Sequence, residues 1–402
     1  MNHDVSLPHL PADPSRPFRL IVTGGGTGGH TYPGLTAVRT LQNRLTAAGR
    51  PPLDVLWIGT ADGLEARVAP EEGIAFAEVA TGKIRRSKNP LKLASPANVR
   101  DMARVPLGVA QARKLVADFH PDVVLATGGY VAVPGGLAAR LCRRPLVLHE
   151  QTVRLGLANR KLAGAATRIA VSSESTLALL PETARHTAVV TGNPVRPEVF
   201  SGQADKAIET LGLQAFDRRL PTVYVTGGAQ GSQQINDVVV DSLPWLLERA
   251  NVIHQCGRDH LGALRQRTAG LSSELAARHY LTEFVGPELP DVLDLADVVV
   301  SRSGAGTIAE MTALGKAAVF VPLATSAGNE QVHNARHLAD SGAAVALLDG
   351  VTSLTFQGAV APLLADPQYR TAVADRAREH GRPDAAARLV DVVLSAAATN
   401  GQ

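Results

Sequence analysis

The chain contains 402 residues, of which 45% are hydrophobic and 19% charged, as in a folded globular protein and unlike a disordered one. Two cysteines, Cys142 and Cys256, are too few for a disulfide framework or a cysteine-rich metal cluster and indicate a reducing compartment. No apolar segment reaches the roughly 18 residues of a membrane-spanning helix and no signal peptide is recognisable, so the sequence predicts a cytoplasmic protein.

The formal net charge of +3 is distributed unevenly. The segment from Lys83 to Lys114 holds nine basic residues and one acid, Asp101, a net +8 that leaves −5 for the remainder. The basic residues are Lys83, Arg85, Arg86, Lys88, Lys92, Arg100, Arg104, Arg113 and Lys114. Such a segment can face nucleic acid, anionic lipid or an anionic substrate, or it can be a solvated surface. No aromatic side chain lies in it to stack on bases, which argues against single-stranded nucleic acid.

Residues 1–17 carry four prolines and predict a flexible tail outside the fold. Short β-branched segments then alternate with amphipathic or alanine-rich segments, among them predicted helices at 35–48 and 137–142. The predicted buried strands are 18–23, 53–58, 122–127, 146–149, 168–172, 222–226, 252–256, 297–301, 317–321 and 343–348. This alternation indicates βαβ units with parallel sheets, an α/β fold.

A weak internal repeat divides the chain in two. Val22–Gly25 recurs as Val225–Gly228, and each copy ends a strand and leads through a glycine-rich loop into a helix. Two Rossmann-like, doubly wound domains are the simplest interpretation, and the chain length also favours two domains. The joint is expected near Gly192–Pro197, where two prolines interrupt the pattern.

The first glycine-rich loop, Gly24–His30, is suited to a phosphate or a sugar hydroxyl, because glycines allow close approach and the following helix N-terminus offers free N–H groups. It matches the dinucleotide pattern G-x-G-x-x-G. However, the second predicted strand ends in Gly59-Thr60 without the acid that would bind a ribose, which argues against a nicotinamide enzyme. Neither Gly82-Lys83 nor Gly315-Lys316 has the spacing of a P-loop.

His30 closes this loop and has two interpretations. It is either a helix-start histidine with a satisfied hydrogen bond or a general base, since a helix N-terminus favours the neutral ring that can accept a proton. Glu150 follows another predicted strand, where residues line the ligand crevice of a doubly wound sheet. It can be a catalytic carboxylate, a group that orients His30, or a helix-start acid.

In the second half, Ser301–Thr307 is a small-residue loop that opens a helix and suits a diphosphate. Glu310 is predicted about one turn into that helix, where a carboxylate can accept hydrogen bonds from a ribose diol. The alternative is an acid that complements the helix dipole.

Five segments occur in an order that points to one family: Gly25–His30, Gly128–Tyr130, His149–Gln151, Gly192–Arg196 and Ser301–Glu310. Together they resemble the MurG glycosyltransferases of peptidoglycan synthesis. The resemblance extends from residue 18 to about residue 390.

The resemblance implies a GT-B fold, in which two Rossmann-like domains face each other across a cleft. The expected organisation is a tail at 1–17, an acceptor and membrane-facing domain at 18–193, a UDP-GlcNAc-binding domain at 194–380 and a C-terminal helix within 381–402 that returns to the first domain. The implied reaction is inverting transfer of N-acetylglucosamine from UDP-GlcNAc to the C4 hydroxyl of the muramyl sugar of lipid I, giving lipid II, without a metal or other cofactor.

The resemblance also implies roles for individual residues. His30 is the favoured base, with Glu150 as a second catalytic candidate. Gly128, Gly129 and Tyr130 lie on the acceptor side. Phe284 and Val285 bracket the uracil. The full set implied for UDP-GlcNAc is Thr27, Gly28, Gly29, Thr152, Arg196, Ala229, Gln230, Gly231, Phe284, Val285, Ala305, Gly306, Thr307, Ile308, Ala309, Glu310 and Gln331.

Two positions depart from the family pattern. Thr152 replaces the asparagine that usually follows His-Glu-Gln, and Ala229 replaces the serine of the second glycine-rich loop. Thr152 still offers one hydrogen-bond donor and one acceptor, whereas Ala229 offers neither. Backbone N–H groups of that loop and Ser232 are expected to compensate.

The expected partners are UDP-GlcNAc, lipid I, other cell-wall synthesis proteins and the anionic cytoplasmic membrane surface, with no role for nucleic acid. The lipid of the acceptor stays in the bilayer, so the enzyme is expected to dock peripherally through the basic segment. Two alternatives stay open: a GT-B enzyme that glycosylates another lipid such as diacylglycerol, and a non-catalytic UDP-sugar-binding subunit.

Overall fold

The structure, a computed structural model, describes residues 13, 15–82 and 96–399, with only the backbone of residues 96–102. Most of the predicted tail, and the basic residues from Lys83 to Lys92, lie outside the described residues.

The described strands are β1 (Arg19–Gly24), β2 (Asp54–Gly59), β3 (Ala75–Glu78), β4 (Val123–Gly128), β5 (Leu146–Glu150), β6 (Arg168–Val171), β7 (Ala188–Val190), β8 (Thr222–Thr226), β9 (Asn251–Gln255), β10 (His279–Thr282), β11 (Val298–Ser301), β12 (Ala317–Phe320) and β13 (Val345–Ala346). The first-half helices are α1 (Gly28–Ala47), α2 (Glu65–Glu71), α3 (Pro96–Phe119), α4 (Ala132–Leu141), α5 (Leu157–Leu162), α6 (Glu174–Leu177) and α7 (Glu182–Arg185). The later helices are α8 (Ala204–Thr210), α9 (Gln233–Asp241), α10 (Leu243–Leu247), α11 (Leu261–Thr268), α12 (Ser273–Ala276), α13 (Leu289–Leu295), α14 (Ala305–Leu314), α15 (Glu330–Asp340), α16 (Ser353–Ala365), α17 (Pro367–His380) and α18 (Ala385–Ala398). Short 3₁₀ helices lie at Ala163–Ala165, Pro197–Ser201, Arg258–His260 and Ala327–Asn329.

The chain divides into two compact units. Unit 1 contains the chain up to Pro194 and again from Asp384 onward, and unit 2 contains Val195–Pro383. Unit 1 is built on a parallel sheet of order β3-β2-β1-β4-β5-β6-β7, and unit 2 on a parallel sheet of order β10-β9-β8-β11-β12-β13. These two doubly wound sheets confirm the predicted α/β class.

Each sheet reverses its strand order once, between β1 and β4 in unit 1 and between β8 and β11 in unit 2. Ligands of doubly wound sheets bind beyond the carboxyl ends of the strands at such a point. In unit 1 the β1–β4 register shifts: Thr23 pairs with Ala126 and Gly24 with Gly128. Thr127 is therefore the extra residue of a bulge and has no partner on β1.

Helix α18 completes the core of unit 1. Its buried face, which includes Leu389 and Val393, packs in one cluster with Leu20 and Trp57 of the central strands and with Leu41 of α1. The last described helix of the chain thus covers strands formed by the first half.

The strand boundaries follow from how the strands are buried. Central strands are covered on both faces and form continuous apolar segments, such as 298–300 in β11 and 223–225 in β8, so the sequence identifies them within one or two residues. The prediction missed β3, β7 and β10, which are edge strands of three or four residues and are only partly buried. The predicted helical segment 35–48 covers the later part of α1, which begins at Gly28 and includes Pro33.

None of the described helices is long and apolar enough to cross a membrane. Within the same residues, no group of three or more His, Cys, Asp or Glu side chains is close enough to hold a metal ion. Cys142 and Cys256 are both free thiols.

Two histidines lie on neighbouring strands of unit 2, His254 fully buried and His279 half-buried. The ring of His254 on β9 and that of His279 on β10 lie 6.1 Å apart between centroids. His254 donates from Nε2 to Asn236 Oδ1 at 3.0 Å. Burial lowers the pKa of His254 from 6.5 to about 3 and that of His279 from 6.5 to about 4.

We therefore expect unit 2 to lose stability as the pH falls from 7 to 5.5. Below pH 6.5 these two histidines bind protons in the unfolded chain but not in the folded protein. Each therefore lowers the free energy of unfolding by up to about 1.4 kcal/mol for every unit by which the pH falls. Urea unfolding followed by Trp245 fluorescence, in a Trp57→Phe background, measures this slope. His279→Gln should reduce the slope, whereas replacing the exposed His186 by Gln should leave it unchanged; equal slopes in both variants would contradict the assignment.

Candidate functional site

A buried carboxylate holds the glycine-rich loop after β1. Glu65, fully buried at the start of α2, accepts hydrogen bonds from the backbone N–H of Gly26 at 2.7 Å and of Thr60 at 3.1 Å. The indole N–H of Trp57 donates to the Gly24 carbonyl at 3.0 Å. A Cβ on Gly25 would come within 2.2 Å of the Glu65 carboxyl carbon, so only glycine lets this loop lie against the carboxylate.

His30 lies in the first turn of α1 and connects this loop to the bulge in β4. Its Nδ1 is 3.0 Å from the Thr127 carbonyl oxygen and 3.2 Å from Gln151 Oε1. Gly128 and Gly129 follow the bulge with φ of 94° and 75°, and a Cβ on Gly128 would approach two ring atoms of His30 to 3.2 Å. The glycines therefore let the β4 loop lie against one edge of the imidazole.

The triplet His149–Gln151, at the end of β5, contains two residues connected to His30 and one that is not. Gln151 donates from Nε2 to the Thr127 carbonyl at 2.5 Å and contacts His149 Nδ1 at 3.1 Å. His149 is fully buried, and burial lowers its pKa from 6.5 to about 4. Glu150 points elsewhere, to the loop that precedes α5.

The hydrogen bonds of Glu150 explain its burial. One carboxylate oxygen accepts from the N–H and hydroxyl of Thr152, and the other accepts from Gly156 N–H at 2.7 Å and Asn159 Nδ2 at 3.0 Å. Four donors satisfy a buried carboxylate and fix the shape of the loop. The Thr152 hydroxyl, which also contacts the Arg154 carbonyl at 2.6 Å, is used inside this loop.

In unit 2, the guanidinium of Arg302, which itself follows β11, connects the segments that follow β8 and β12. Arg302 donates to Ser232 Oγ at 2.6 Å, to Gln234 Oε1 at 2.8 Å and to the Val321 and Pro322 carbonyls. Ser232 also caps α9 by accepting from Ile235 N–H. Both acceptor positions of its oxygen are therefore occupied, and only its proton remains to be donated.

Within the glycine-rich loop of unit 2, Ala229 and Gln230 are exposed. Gly231 has φ of 75°, and a Cβ there would meet the Cys256 carbonyl at 1.8 Å. This loop therefore requires glycine at the position where it passes the end of β9.

Arg196 and Glu310, both predicted to contact the sugar donor, pair with each other. Arg196 Nε and Nη2 converge on Oε1 of Glu310 at 3.0 and 2.7 Å. Among the described residues, no hydrogen bond reaches Oε2 of Glu310. One oxygen of this carboxylate is therefore available to a ligand while the other is held by the guanidinium.

Phe284 and Val285, the predicted uracil residues, differ in environment. The Phe284 side chain is 54% exposed, whereas Val285 is buried and donates its N–H to Gln255 Oε1 at 2.9 Å. The Gln255 amide also donates to the Gly228 carbonyl at 2.9 Å. One buried side chain thus fixes the distance between the predicted base-binding and diphosphate-binding loops.

The remaining predicted residues lie at the starts of α14 and α15. Ala305, Gly306, Thr307, Ile308 and Ala309 form the first turns of α14 and are half-buried. Open space surrounds a Cβ built on Gly304 or Gly306. Gln331, at the start of α15, accepts from Leu323 N–H through Oε1 at 2.9 Å.

The structure thus places the predicted residues of each unit in segments that follow the carboxyl ends of the strands of its own sheet, and His30 and the loops after β8 and β11 lie at the switch points. Thr27, Gly28, Gly29 and Tyr130 flank the His30 loop, but the Thr27 hydroxyl does not cap α1. The sequence reasoning missed Glu65, Gln151, Gln255 and Arg302, which hold the loops. For Glu65, the surrounding small residues Gly59 and Gly63 were the available indication, because a Cβ at either would reach the Glu65 side chain within 2.5 Å.

Family models match both units. The N-terminal domain of glycosyltransferase family 28 matches residues 20–171, and the C-terminal domain of that family matches residues 222–389.

Several relatives match over nearly their whole length. The UDP-N-acetylglucosamine--N-acetylmuramyl-(pentapeptide) pyrophosphoryl-undecaprenol N-acetylglucosamine transferase of Pediococcus pentosaceus is 33% identical over 384 residues, which cover 94% of this chain and 99% of the relative. The enzyme of the same name from Desulforudis audaxviator is 34% identical over 386 residues, covering 94% and 98%.

Solved structures agree with this family. The crystal structure of Acinetobacter baumannii MurG matches with a TM-score of 0.71 and 28% identity, covering 94% of this chain and all of that one. A UDP-GlcNAc 2-epimerase from Neisseria meningitidis shares the fold, with a TM-score of 0.63, 16% identity and coverage of 94% and 99%. The two Rossmann-like units are those of the GT-B fold, as the sequence predicts.

Proposed function

Since this chain belongs to the MurG family, whose two domains are those of glycosyltransferase family 28, we propose that it transfers N-acetylglucosamine from UDP-GlcNAc to the C4 hydroxyl of the muramyl sugar of lipid I, which gives lipid II. The observation that carries the proposal is the position of His30 at the switch point of unit 1, with Nδ1 turned toward the Thr127 carbonyl. This orientation leaves Nε2 as the nitrogen that faces a substrate.

His30 is the general base of this proposal. A sugar hydroxyl is a weak nucleophile, and a positioned base contributes about 10²–10⁴ to its rate of attack. Nε2 takes the proton of the C4 hydroxyl as that oxygen attacks the anomeric carbon, and UDP leaves with the bonding electrons. Glu150 supports the neighbouring loop, because its four hydrogen-bond donors come from residues 152–159.

The nucleotide sugar is assigned to unit 2. Oε2 of Glu310 accepts a hydrogen bond from the ribose, and the exposed Phe284 ring packs on the uracil. The N–H of Val285 is already bonded to Gln255, so the Val285 carbonyl is the backbone group that contacts the base. The Gln331 Nε2 group, whose amide is oriented by Leu323 N–H, donates to the N-acetylglucosamine.

The diphosphate of this proposal is held without the family's serine. Ala229 supplies no hydroxyl, and Ser232 can donate one proton. The backbone of the loop and the N-terminus of α14 provide N–H groups, and the Arg302 guanidinium beneath the loop supplies positive charge.

Membrane docking is assigned to the basic segment. Its side chains are described from residue 103 of α3 onward, and they include the exposed Arg104, Arg113 and Lys114 together with Leu107, which is 55% exposed. Basic residues for anionic headgroups beside an apolar residue for the interface support peripheral binding to the cytoplasmic membrane face.

Glu310→Ala should weaken UDP binding by about 1.5–3 kcal/mol, because it removes a charged hydrogen-bond acceptor. Isothermal calorimetry with UDP measures the loss. Glu248→Ala, which removes an exposed acid of unit 2, is the matched control and should bind UDP like the parent. Unchanged affinity in Glu310→Ala would remove Glu310 from the site.

His30→Ala should lower kcat by about 10²–10⁴ with little change in UDP affinity. UDP release and disaccharide formation are measured with UDP-GlcNAc and a short-chain lipid I analogue, and the exposed His186→Ala serves as the control. Turnover within a few-fold of the parent would place the base elsewhere. No product with lipid I, but product with diacylglycerol, would replace the proposed acceptor, and UDP-GlcNAc binding without turnover would indicate a binding subunit.

Vesicles containing phosphatidylglycerol or cardiolipin should bind the protein in a salt-sensitive way, and neutral vesicles should bind little, since each basic residue near such a surface contributes about 1 kcal/mol. The test variant replaces four residues of the basic segment by serine: Lys83, Arg85, Arg86 and Lys88. The control removes four exposed charges from unit 2: Arg218, Arg219, Arg258 and Arg265. Only the test variant should lose sedimentation with anionic vesicles while keeping turnover on a water-soluble acceptor; equal sedimentation of both would refute docking by this segment.

A further inference from the structure

His30 stands at one end of a chain of hydrogen bonds that passes through Gln151 and His149. The chain runs from the Gly192 carbonyl to His149 Nε2 at 3.2 Å, from His149 Nδ1 to Gln151 Nε2 at 3.1 Å, and from Gln151 Oε1 to His30 Nδ1 at 3.2 Å. Gln151 and His149 are buried, so neither exchanges these partners for water.

Two backbone carbonyls fix the direction of every bond in this chain. The Thr127 carbonyl lies 2.5 Å from one end of the Gln151 amide, and a carbonyl can only accept, so that end must be the NH₂ group. The other end is then Oε1, which faces His30. Rotating the amide by 180° would place two oxygens against each other and is excluded by this contact.

The same argument fixes His149. Its Nε2 faces the Gly192 carbonyl and must carry the proton, which leaves Nδ1 to accept the second N–H of Gln151. A doubly protonated His149 would place an N–H against that NH₂ group. Burial opposes this form, as the lowered pKa of about 4 shows.

His30 therefore meets two acceptors at Nδ1, the Thr127 carbonyl and Gln151 Oε1. We propose that Gln151 and His149 are positioning residues that hold His30 in the Nδ1–H tautomer, so that Nε2 carries the lone pair that accepts the proton of the attacking hydroxyl. This inference rests on the proposed function for the identity of that hydroxyl. The tautomer itself is a property of the free protein.

The same hydrogen bonds also stabilise the protonated form of His30 that the reaction produces. When the C4 O–H bond breaks, its proton moves to Nε2, the new bond forms to the anomeric carbon, and the bond from that carbon to the UDP oxygen breaks with its electron pair on UDP. The resulting imidazolium keeps the same Nδ1–H, and its charge faces two oxygen acceptors. No hydrogen bond of the chain has to reverse during the step.

The first test is ¹⁵N NMR of the full-length protein labelled at histidine, with the His30 signals assigned by their loss in His30→Ala. At pH 8 the shifts should show protonated Nδ1 and unprotonated Nε2. A protonated Nε2 at His30 in the parent protein would overturn the proposal, independently of the results with the Gln151 variant.

The second test replaces Gln151 by the isosteric, apolar Met. Gln151→Met removes one of the two acceptors at His30 Nδ1 and leaves the Thr127 carbonyl in place, so it should raise the share of the Nε2–H tautomer without making it dominant. It should also lower kcat about tenfold, the scale of one hydrogen bond, while the KM for UDP-GlcNAc stays within twofold. Asn251→Leu is the matched control, because Asn251 is also a buried amide that bonds only backbone groups, at the start of β9. It should lower Tm without changing the His30 tautomer.

The outcomes separate the two proposals. An unchanged tautomer and a kcat within twofold in Gln151→Met would overturn the positioning role. A parent protein that shows the Nδ1–H tautomer but transfers no sugar would refute the proposed function and leave the assignment of the tautomer intact.

Discussion

The carbonyl oxygen of Thr127 is the hydrogen-bond acceptor on which the arrangement of unit 1 depends. The bulge between β1 and β4 takes Thr127 out of register with β1, so its carbonyl is free to accept from His30 and Gln151. Because a backbone carbonyl cannot donate, it fixes the orientation of the Gln151 amide, whose two ends contact His149 and His30. A single irregularity in an otherwise regular parallel sheet thus sets the side-chain geometry of the candidate site.

The two units hold their glycine-rich loops with side chains of opposite charge. In each, the glycine-rich loop after the first central strand must be held at the switch point of the sheet. Unit 1 uses the buried carboxylate of Glu65 to accept from backbone N–H groups, whereas unit 2 uses the Arg302 guanidinium to donate to Ser232 Oγ and Gln234 Oε1, which follow its loop. In unit 2, Arg302 places a positive charge next to the loop that is proposed to hold a diphosphate. In unit 1, Glu65 adds no positive charge near His30, the proposed base.

The sequence identified the central strands and the glycine-rich loops because burial on both faces and glycine spacing are local patterns. It placed His30 next to a catalytic cleft but named Glu150 as the group that could orient it. The structure shows Gln151 in that contact, since side chains alternate along an extended segment and only the register at the end of β5 decides which one faces His30. The sequence reasoning missed Glu65, Gln255 and Arg302 because each bonds to a residue at least 27 positions away along the chain, and no spacing pattern in the sequence identifies such contacts.

The route of the chain through the two units has a consequence for how the protein is made. Unit 1 needs helix α18 to cover Leu20 and Trp57, yet α18 lies after all of unit 2 in the chain. A ribosome therefore releases the complete sequence of unit 2 before unit 1 can close its core. During synthesis, unit 2 can fold first, while the face of the unit 1 sheet that carries Leu20 and Trp57 is still exposed to solvent. Unit 1, which contains the earlier half of the chain, is thus the last to complete its core, and its uncovered apolar strands are the surface exposed to aggregation during synthesis.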